Sequence, residues 1–243
     1  MSFDACAAIV EKGDPDRFRA TMAAPVAARR ILFPLYAFNV EVTRAPWVTK
    51  EAMIAEMRLQ WWRDALEEIA KGETVRKHEV VDALAEILDP VGAASLDALI
   101  VARRWDIYSD AFEDQAHFDS YIDATSGDLL WTASRLLGGR NEQSVHDLAY
   151  GIGVANLLQA IPALEDKGRK PLVDGTTDGV RSLAKSALAR FQRGAAPKPV
   201  RLSGFMTKTV LSQAIKSPQR AVHGTLGAGP LKQAVLLAKA ALF

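Results

Sequence analysis

The sequence has little cysteine and histidine and no excess of either charge, and each shortage excludes a class of protein. Cys6 is the only cysteine, which excludes an internal disulfide framework and a cysteine-rich zinc site. It is interpreted as a small apolar core residue. The four histidines are scattered without metal-ligand spacing. Lysine and arginine total 30 against 29 aspartate and glutamate, so no overall charge favours binding to nucleic acid.

Long apolar runs are also missing. No stretch approaches 18 consecutive apolar residues, so no membrane span is expected. The first residues lack a basic region followed by an apolar core, which argues against a signal peptide. We therefore expect a cytoplasmic protein.

What the sequence does contain is helical periodicity. Apolar residues recur every three or four positions, alanine and leucine are abundant, and β-branched runs are short, which favours an all-α protein. One domain is expected over residues 1–243, with a loosened third, rich in glycine and proline, from about residue 168. Pro162 is expected to end its helix, because proline lacks the amide donor. The predicted helices are 3–12, 15–22, 26–44, 50–71, 77–88, 93–112, 115–137, 143–162, 177–193, 204–216 and 230–242.

The segment FPLYAFNVEVTRAPW, residues 33–47, is the most informative motif. Its YAF element, with Tyr36 and Phe38, resembles the first signature of the squalene/phytoene synthase family. In that family aspartates begin seven residues after the tyrosine and hold Mg²⁺ against a substrate diphosphate. Counted from Tyr36, the two ligand positions fall here on Thr43 and Trp47, neither of which is a good Mg²⁺ ligand.

A second segment, GIGVANLLQAIPALEDKGRKPLV at 151–173, resembles the second signature of the same family. Asn156 and Arg169 keep their places in this alignment. Gln159 stands where an arginine is usual, and Ala160 and Leu164 occupy the two aspartate positions. The resemblance therefore implies a site whose fold is kept and whose metal ligands are replaced.

Two further elements resemble the family and follow its order. WWRDALEEI includes Arg63, which either pairs with Glu67 four residues on or faces the central cavity. The helix at 117–138 carries Tyr121 and a Ser-Gly step at Gly127. A glycine inside a helix costs about 1 kcal/mol relative to alanine, so close approach of another helix or of a ligand chain is expected there.

Particular replacements point to one branch of the family. The A-F-N-V-E element at 37–41, the M-R-x-Q-W-W element at 57–62 and A-x-P at 160–162 resemble the degenerate branch that includes the mitochondrial complex I assembly factor. The resemblance implies an all-α isoprenoid-synthase-type helical bundle around a central cavity. It implies a non-catalytic protein, with respiratory complex I subunits or assembly factors as partners and an isoprenoid lipid as a ligand. A bacterial cytoplasmic location is expected, with peripheral contact at the inner face of the membrane as an alternative.

Two other functions stay open from the residues. An active head-to-head isoprenyl transferase would need Mg²⁺ on unorthodox ligands such as Glu41, Asp123 and Glu165; otherwise no cofactor is expected. The third hypothesis is an isoprenoid-binding module without a respiratory role. Other acidic pairs stand at helical spacing. Asp106 with Asp110 is interpreted as a solvated helix face, whereas Asp119 with Asp123 stays open as a ligand pair, although it has no matching partner cluster.

Overall fold

The computed structural model describes residues 2–108 and 110–242. It is about 77% helical, and the described part of the chain contains no strand, as the periodicity predicts. Two 3₁₀ turns, Ala45–Trp47 and Leu202–Gly204, and a π-helical segment, Asp123–Gly127, interrupt the helices. The α-helices are α1 Ser2–Gly13, α2 Pro15–Met22, α3 Val26–Arg44, α4 Ala52–Lys71, α5 Glu79–Ala85, α6 Pro90–Arg103, α7 Trp105–Tyr108, α8 Gln115–Ile122, α9 Asp128–Leu136, α10 Glu142–Glu165, α11 Thr177–Arg193, α12 Lys198–Arg201, α13 Thr207–Lys216, α14 Gln219–Val222 and α15 Pro230–Leu242.

Short polar residues begin several of these helices. The Asp14 carboxylate accepts a hydrogen bond from the Arg17 amide at 3.0 Å, and Pro15 occupies the first turn of α2, as predicted. Asp89 accepts in the same way from the Gly92 amide at 2.8 Å at the start of α6. These caps fix where each helix enters the bundle.

Three predicted helices differ most from the observed ones, and the short helices α12 and α14 were not predicted. The predicted helix 93–112 is two helices, because α6 ends at Arg103 and α7 covers only Trp105–Tyr108. The predicted helix 115–137 is divided by the π-helical segment. Pro162 does not end α10, which continues to Glu165. Buried neighbours on α10, Leu158 and Ile161, hold the helix in place across the missing amide bond.

Two buried apolar clusters form the core. The first is built mainly from α1, α3, α4, α5, α6 and α9, and the second mainly from α8, α10, α11 and α13. Helix α10 belongs to both, since Ile152 lies in the first cluster and Val154 in the second. No described helix is long and apolar enough to cross a bilayer.

Cys6 lies fully buried in the first cluster. Burial, and to a lesser degree the charge of Glu79, raise the pKa of its thiol to about 12. A protonated, buried thiol is a poor nucleophile, which agrees with the interpretation of Cys6 as a core residue.

Candidate functional site

A cavity of about 350 Å³ lies among α3, α8 and α10. The start of α2, the α6–α7 junction and the loop that follows α10 complete its wall. One part of the wall is aromatic and aliphatic, and another carries cationic and amide side chains. The lining residues are Asp14, Arg17, Asn39, Thr43, Trp47, Arg103, Trp105, Asp106, Phe112, Tyr121, Ile122, Thr125, Ser126, Gly153, Asn156, Leu157, Ala160, Ala163, Leu164, Lys167, Arg169 and Pro171.

The two signature segments meet across this cavity. Asn39 and Thr43, one helical turn apart, project from one face of α3, and Trp47 follows in the 3₁₀ turn. Ala160 and Leu164 line it from α10. The four positions that the motif resemblance predicts as metal-ligand positions therefore line one cavity, and their side chains carry no carboxylate.

A closed polar network forms the wall beside α7. The Tyr121 hydroxyl donates to Asp106 Oδ1 at 2.8 Å and accepts from Arg103 Nη1 at 2.7 Å. Arg103 Nη1 also contacts Asp106 Oδ2 at 3.1 Å. Burial raises the pKa of the Tyr121 phenol, and the Asp106 charge raises it further, although Arg103 opposes both. Tyr121 is therefore a neutral hydrogen-bonding group that holds Asp106 in place.

Asp106 differs from its prediction as a solvent-facing acid. Its exposed fraction is 6%, and it lies at the cavity wall between two arginines. The reason is the break between α6 and α7, which turns Asp106 inward and leaves Asp110 exposed in the following loop. A continuous helix would have kept the two carboxylates on one face.

Arg169 enters the cavity from the end of α10. Gly168 adopts a left-handed conformation, with φ of 76°; its amide bonds the Glu165 carbonyl at 2.8 Å, and the Arg169 amide bonds the Leu164 carbonyl at 3.0 Å. This is a Schellman motif, which reverses the chain direction at a helix end. The turn directs the Arg169 side chain, 4% exposed, back into the bundle.

Two indole rings flank the Arg169 guanidinium. Its carbon atom lies 5.3 Å from the Trp47 ring centroid and 5.1 Å from that of Trp105. Lys167 Nζ sits 4.3 Å from the Trp47 centroid. Trp47, which the motif resemblance predicts at a metal-ligand position, thus contacts cations through its ring face.

The donor set of the cavity is a poor fit for Mg²⁺. Its carboxylates are Asp14 and Asp106, and each already serves a cap or a buried network. Mg²⁺ requires carboxylate oxygens arranged in near-octahedral geometry. Among the residues that the structure describes, no three His, Cys, Asp or Glu side chains are placed to share a metal ion. The cavity instead carries four cationic side chains, those of Arg17, Arg103, Lys167 and Arg169.

The unorthodox metal ligands considered from the sequence lie apart from the cavity lining. Glu41 pairs with Arg44 at 3.1 Å, and Asp123 pairs with Arg190 at 3.1 Å. Glu165 is exposed. The structure therefore does not bring these three acids together.

Tyr121, Asn156 and Arg169 line the cavity, whereas other predicted site residues lie elsewhere. Tyr36 is 1% exposed, and the Arg17 guanidinium carbon lies 4.9 Å from its ring centroid. Phe38 is fully buried and packs edge-on against Trp62, with centroids 5.5 Å apart. Both belong to the core beneath the site.

Arg63, Gly127 and Gln159 also lie outside the cavity lining. Arg63 pairs with Asp97 on α6, at 2.7 Å for Nε and 3.0 Å for Nη2, rather than with Glu67. A Cβ at Gly127 would lie 2.4 Å from the His146 ring, so helix packing explains this glycine. Gln159 lines a neighbouring groove with Ser203 and Met206, which Asn156 also reaches.

Several lining residues were missed by sequence reasoning. Asn39 lies four residues before Thr43 on the same helix, so the spacing could have placed it on the same face as that predicted position. Arg103, Trp105 and Asp106 gave no such signal, because their position depends on the break after α6.

Curated relatives of this chain are complex I assembly factors. The chain is 31% identical over 166 residues to "NADH dehydrogenase (ubiquinone) complex I, assembly factor 6 homolog" of Drosophila melanogaster. It is 23% identical over 173 residues to the Mus musculus assembly factor 6 and 21% identical over 161 residues to that of Homo sapiens. Each match covers 65% of this chain, and the chain spans about half the length of these relatives, 48–50%.

A solved dehydrosqualene synthase bound to a ligand shares the fold. The two superpose with a TM-score of 0.80 over 98% of this chain and 95% of that one, at 15% identity. This places the chain in the isoprenoid-synthase helical fold. The sequence profile of squalene/phytoene synthases matches residues 10–172. From its matched sequence and its fold together, the chain belongs to the squalene/phytoene synthase family.

Proposed function

We propose that this protein is a non-catalytic member of the squalene/phytoene synthase family that acts in the assembly of respiratory complex I. The observation that carries the proposal is which residues stand at the four positions that align with the family's metal-binding aspartates. They hold Thr43, Trp47, Ala160 and Leu164, all at one cavity. The similarity to complex I assembly factors supports the respiratory role.

The chemical argument concerns the leaving group. Ionisation of a prenyl diphosphate needs metal ions and cationic side chains around the developing pyrophosphate. The cavity offers arginines and a lysine, while its two carboxylates, Asp14 and Asp106, are already engaged in a helix cap and a buried network. A protein with this donor set can bind an anionic or apolar molecule, and it lacks the means to stabilise the pyrophosphate that leaves.

The respiratory role is tested in the host. Deleting the gene is expected to lower NADH:quinone oxidoreductase activity and the amount of assembled complex, and re-expression of the chain should restore both. Normal activity after the deletion would contradict the proposal.

The absence of catalysis is tested separately. The purified chain is incubated with farnesyl or geranylgeranyl diphosphate and Mg²⁺, and no condensed product is expected. Turnover that is lost in a Glu165→Ala or Asp123→Asn variant would instead support the isoprenyl transferase alternative. Restoration of complex I activity by the same two variants supports a role that does not use those acids.

A further inference from the structure

The strongest unexplained feature of the molecule is the state of Arg169. Both of its terminal nitrogens are buried, and neither has a hydrogen-bond partner among the described residues. The nearest acid atom is Asp106 Oδ1 at 3.7 Å from Nη2, which is beyond hydrogen-bond range. That oxygen already accepts from Tyr121. An unsatisfied buried charged donor is costly, so the site favours an acceptor from outside the chain.

The surroundings of Arg169 define the geometry of that acceptor. The ring centroids of Trp47 and Trp105 lie 5.3 and 5.1 Å from the guanidinium carbon, and both terminal nitrogens lack a hydrogen-bond partner among the described residues. A planar fork of N–H donors matches the two oxygens of a carboxylate or phosphate. Lys167, which is exposed to solvent and lies beside Trp47, adds a second positive charge to the cavity wall.

Other unpartnered buried atoms line the same cavity. Two of them, the Thr43 hydroxyl and the Trp105 indole N–H, are donors that could bond an oxyanion. A third, Asn39 Oδ1, is an acceptor. Buried polar groups in proteins are almost always hydrogen-bonded. Their concentration at one cavity indicates a polar ligand group.

Another part of the wall is apolar. Phe112, Ile122 and Leu157 line it together with Ala160 and Leu164. Small-molecule sites typically combine such walls with a few polar groups and have volumes of about 300–1,000 Å³, and this cavity lies near the lower end at about 350 Å³. The space suits one short apolar chain attached to a head group.

We propose that the cavity binds, without a divalent metal, an amphiphile whose head group is a single oxyanion, a carboxylate or a phosphate monoester. Arg169 binds the head group between Trp47 and Trp105, and the tail lies along Leu157 and Leu164. This inference does not depend on the respiratory role, because a chain that assembles complex I through its surface would not need the cavity.

Calorimetric titration in the presence of EDTA tests the proposal on the full chain. The probes are octyl phosphate, octanoate, octanol and inorganic phosphate. Octyl phosphate or octanoate is expected to bind at least tenfold more tightly than octanol, which lacks the charge, and than inorganic phosphate, which lacks the tail. Equal affinity for octanol would overturn the oxyanion site, and equal affinity for inorganic phosphate would overturn the amphiphile. Binding that requires Mg²⁺ would overturn the metal-free site.

Variants locate the site. Arg169→Gln is expected to weaken binding of the preferred probe at least tenfold. Arg63→Gln is the matched control, since Arg63 pairs with Asp97 outside the cavity lining, and its affinity should equal that of the unmodified chain. Unchanged affinity in Arg169→Gln would overturn the assignment.

Two further variants cover the case in which Arg169→Gln fails to fold. Arg169→Lys keeps the charge but cannot form a bidentate contact, so binding should weaken at least threefold. Ala160→Leu narrows the apolar wall without changing any charge, and it should weaken the octyl probes while leaving inorganic phosphate unaffected. Full binding of the octyl probes by both variants would contradict the proposed position of the ligand.

Discussion

Asp128 is an acid held in surroundings that disfavour its charge. Its side chain is 21% exposed, and the titratable groups around it are Asp123 on the π-helical segment and Glu142 and His146 on α10. Burial, followed by repulsion from Glu142 and Asp123, raises its pKa from 3.8 to about 7. His146 Nε2 lies 3.8 Å from its carboxylate. The folded protein therefore keeps a proton on Asp128 that the unfolded chain releases.

Because of this proton, the contribution of Asp128 to the free energy of unfolding falls as pH rises from about 4 to about 7. Asp128→Asn removes that dependence. At pH 8 the variant should be more stable than the unmodified chain by about 1–2 kcal/mol. This is less than the whole pKa shift would give at ~1.4 kcal/mol per unit, because the carboxyl is partly accessible to solvent. Urea denaturation at pH 5 and pH 8 measures the difference, which should shrink at pH 5.

Asp178→Asn is the control for this measurement, because the Asp178 side chain is 88% exposed. It should change stability little at either pH. An Asp128→Asn variant that is less stable than the unmodified chain at pH 8 would contradict the assigned environment.

Individual cavity residues could be predicted where the chain aligned with one of the two family signatures. Thr43, Ala160 and Leu164 came from that resemblance, and all three line the cavity. Arg63 did not follow, because an arginine side chain can reach several partners and the sequence does not show that Asp97, 34 residues away, is nearer than Glu67. Pairings between distant segments depend on packing that local spacing does not encode.

Helix α10 is the element on which the packing of its neighbours depends. It lies against α11, α13, α9 and the π-helical segment. Gly194, directly after α11, contacts the backbone of α10. A Cβ at Gly194 would lie 2.3 Å from the Leu148 amide nitrogen of α10. The adjacent Ala195 amide bonds the Ser144 carbonyl at 3.0 Å. This contact leaves no space for a side chain.

Gly194→Ala should therefore lower the free energy of unfolding by about 2–3 kcal/mol, since overpacking against rigid atoms costs ~1–3 kcal/mol and sometimes more. Gly175→Ala is the control, because a Cβ there would meet nothing within 4 Å. Thermal or urea denaturation compares the two variants. Equal stability of both would show that α10 and α11 can separate slightly without penalty.

Element boundaries were predictable where caps were present and not where tertiary packing decided them. Asp14 with Pro15 marked the start of α2 correctly. Pro162 suggested an end of α10 that packing of Leu158 and Ile161 overrides. The π-helical segment has no signature in the local sequence. It differs from an α-helix by one inserted residue, and the insertion can be recognised only from how the neighbouring helices pack.

The molecule as a whole retains the fold beyond its recognisable sequence. The family profile ends at residue 172, yet the superposition covers 98% of the chain. The third from residue 168, expected to be loosened, includes α11 and α13, whose Val180, Ala184 and Leu211 are buried. Only general apolar spacing is needed to pack these helices, so their sequence diverges while their positions persist.

Because α10 supplies side chains to both apolar clusters, the protein is predicted to unfold in one cooperative transition as a single domain. Far-UV circular dichroism and tryptophan fluorescence should give the same urea midpoint. Hydrogen exchange of amides in α4, from the first cluster, and α11, from the second, should report the same opening free energy. Two separated transitions would contradict the single domain.

The π-helical segment fixes the length of the helix that crosses the cavity. Each residue of an α-helix advances the chain by about 100°, so deleting one residue from Asp123–Gly127 would rotate α8 relative to α9 by about that angle. Tyr121 would then leave Asp106, and Ser126 could no longer reach the Ala149 carbonyl, which it now bonds at 2.8 Å. Side chains along α8, the π-helical segment and α9 can therefore be substituted. An insertion or deletion of one residue, however, has to be compensated by a deletion or insertion close to it in the same helix.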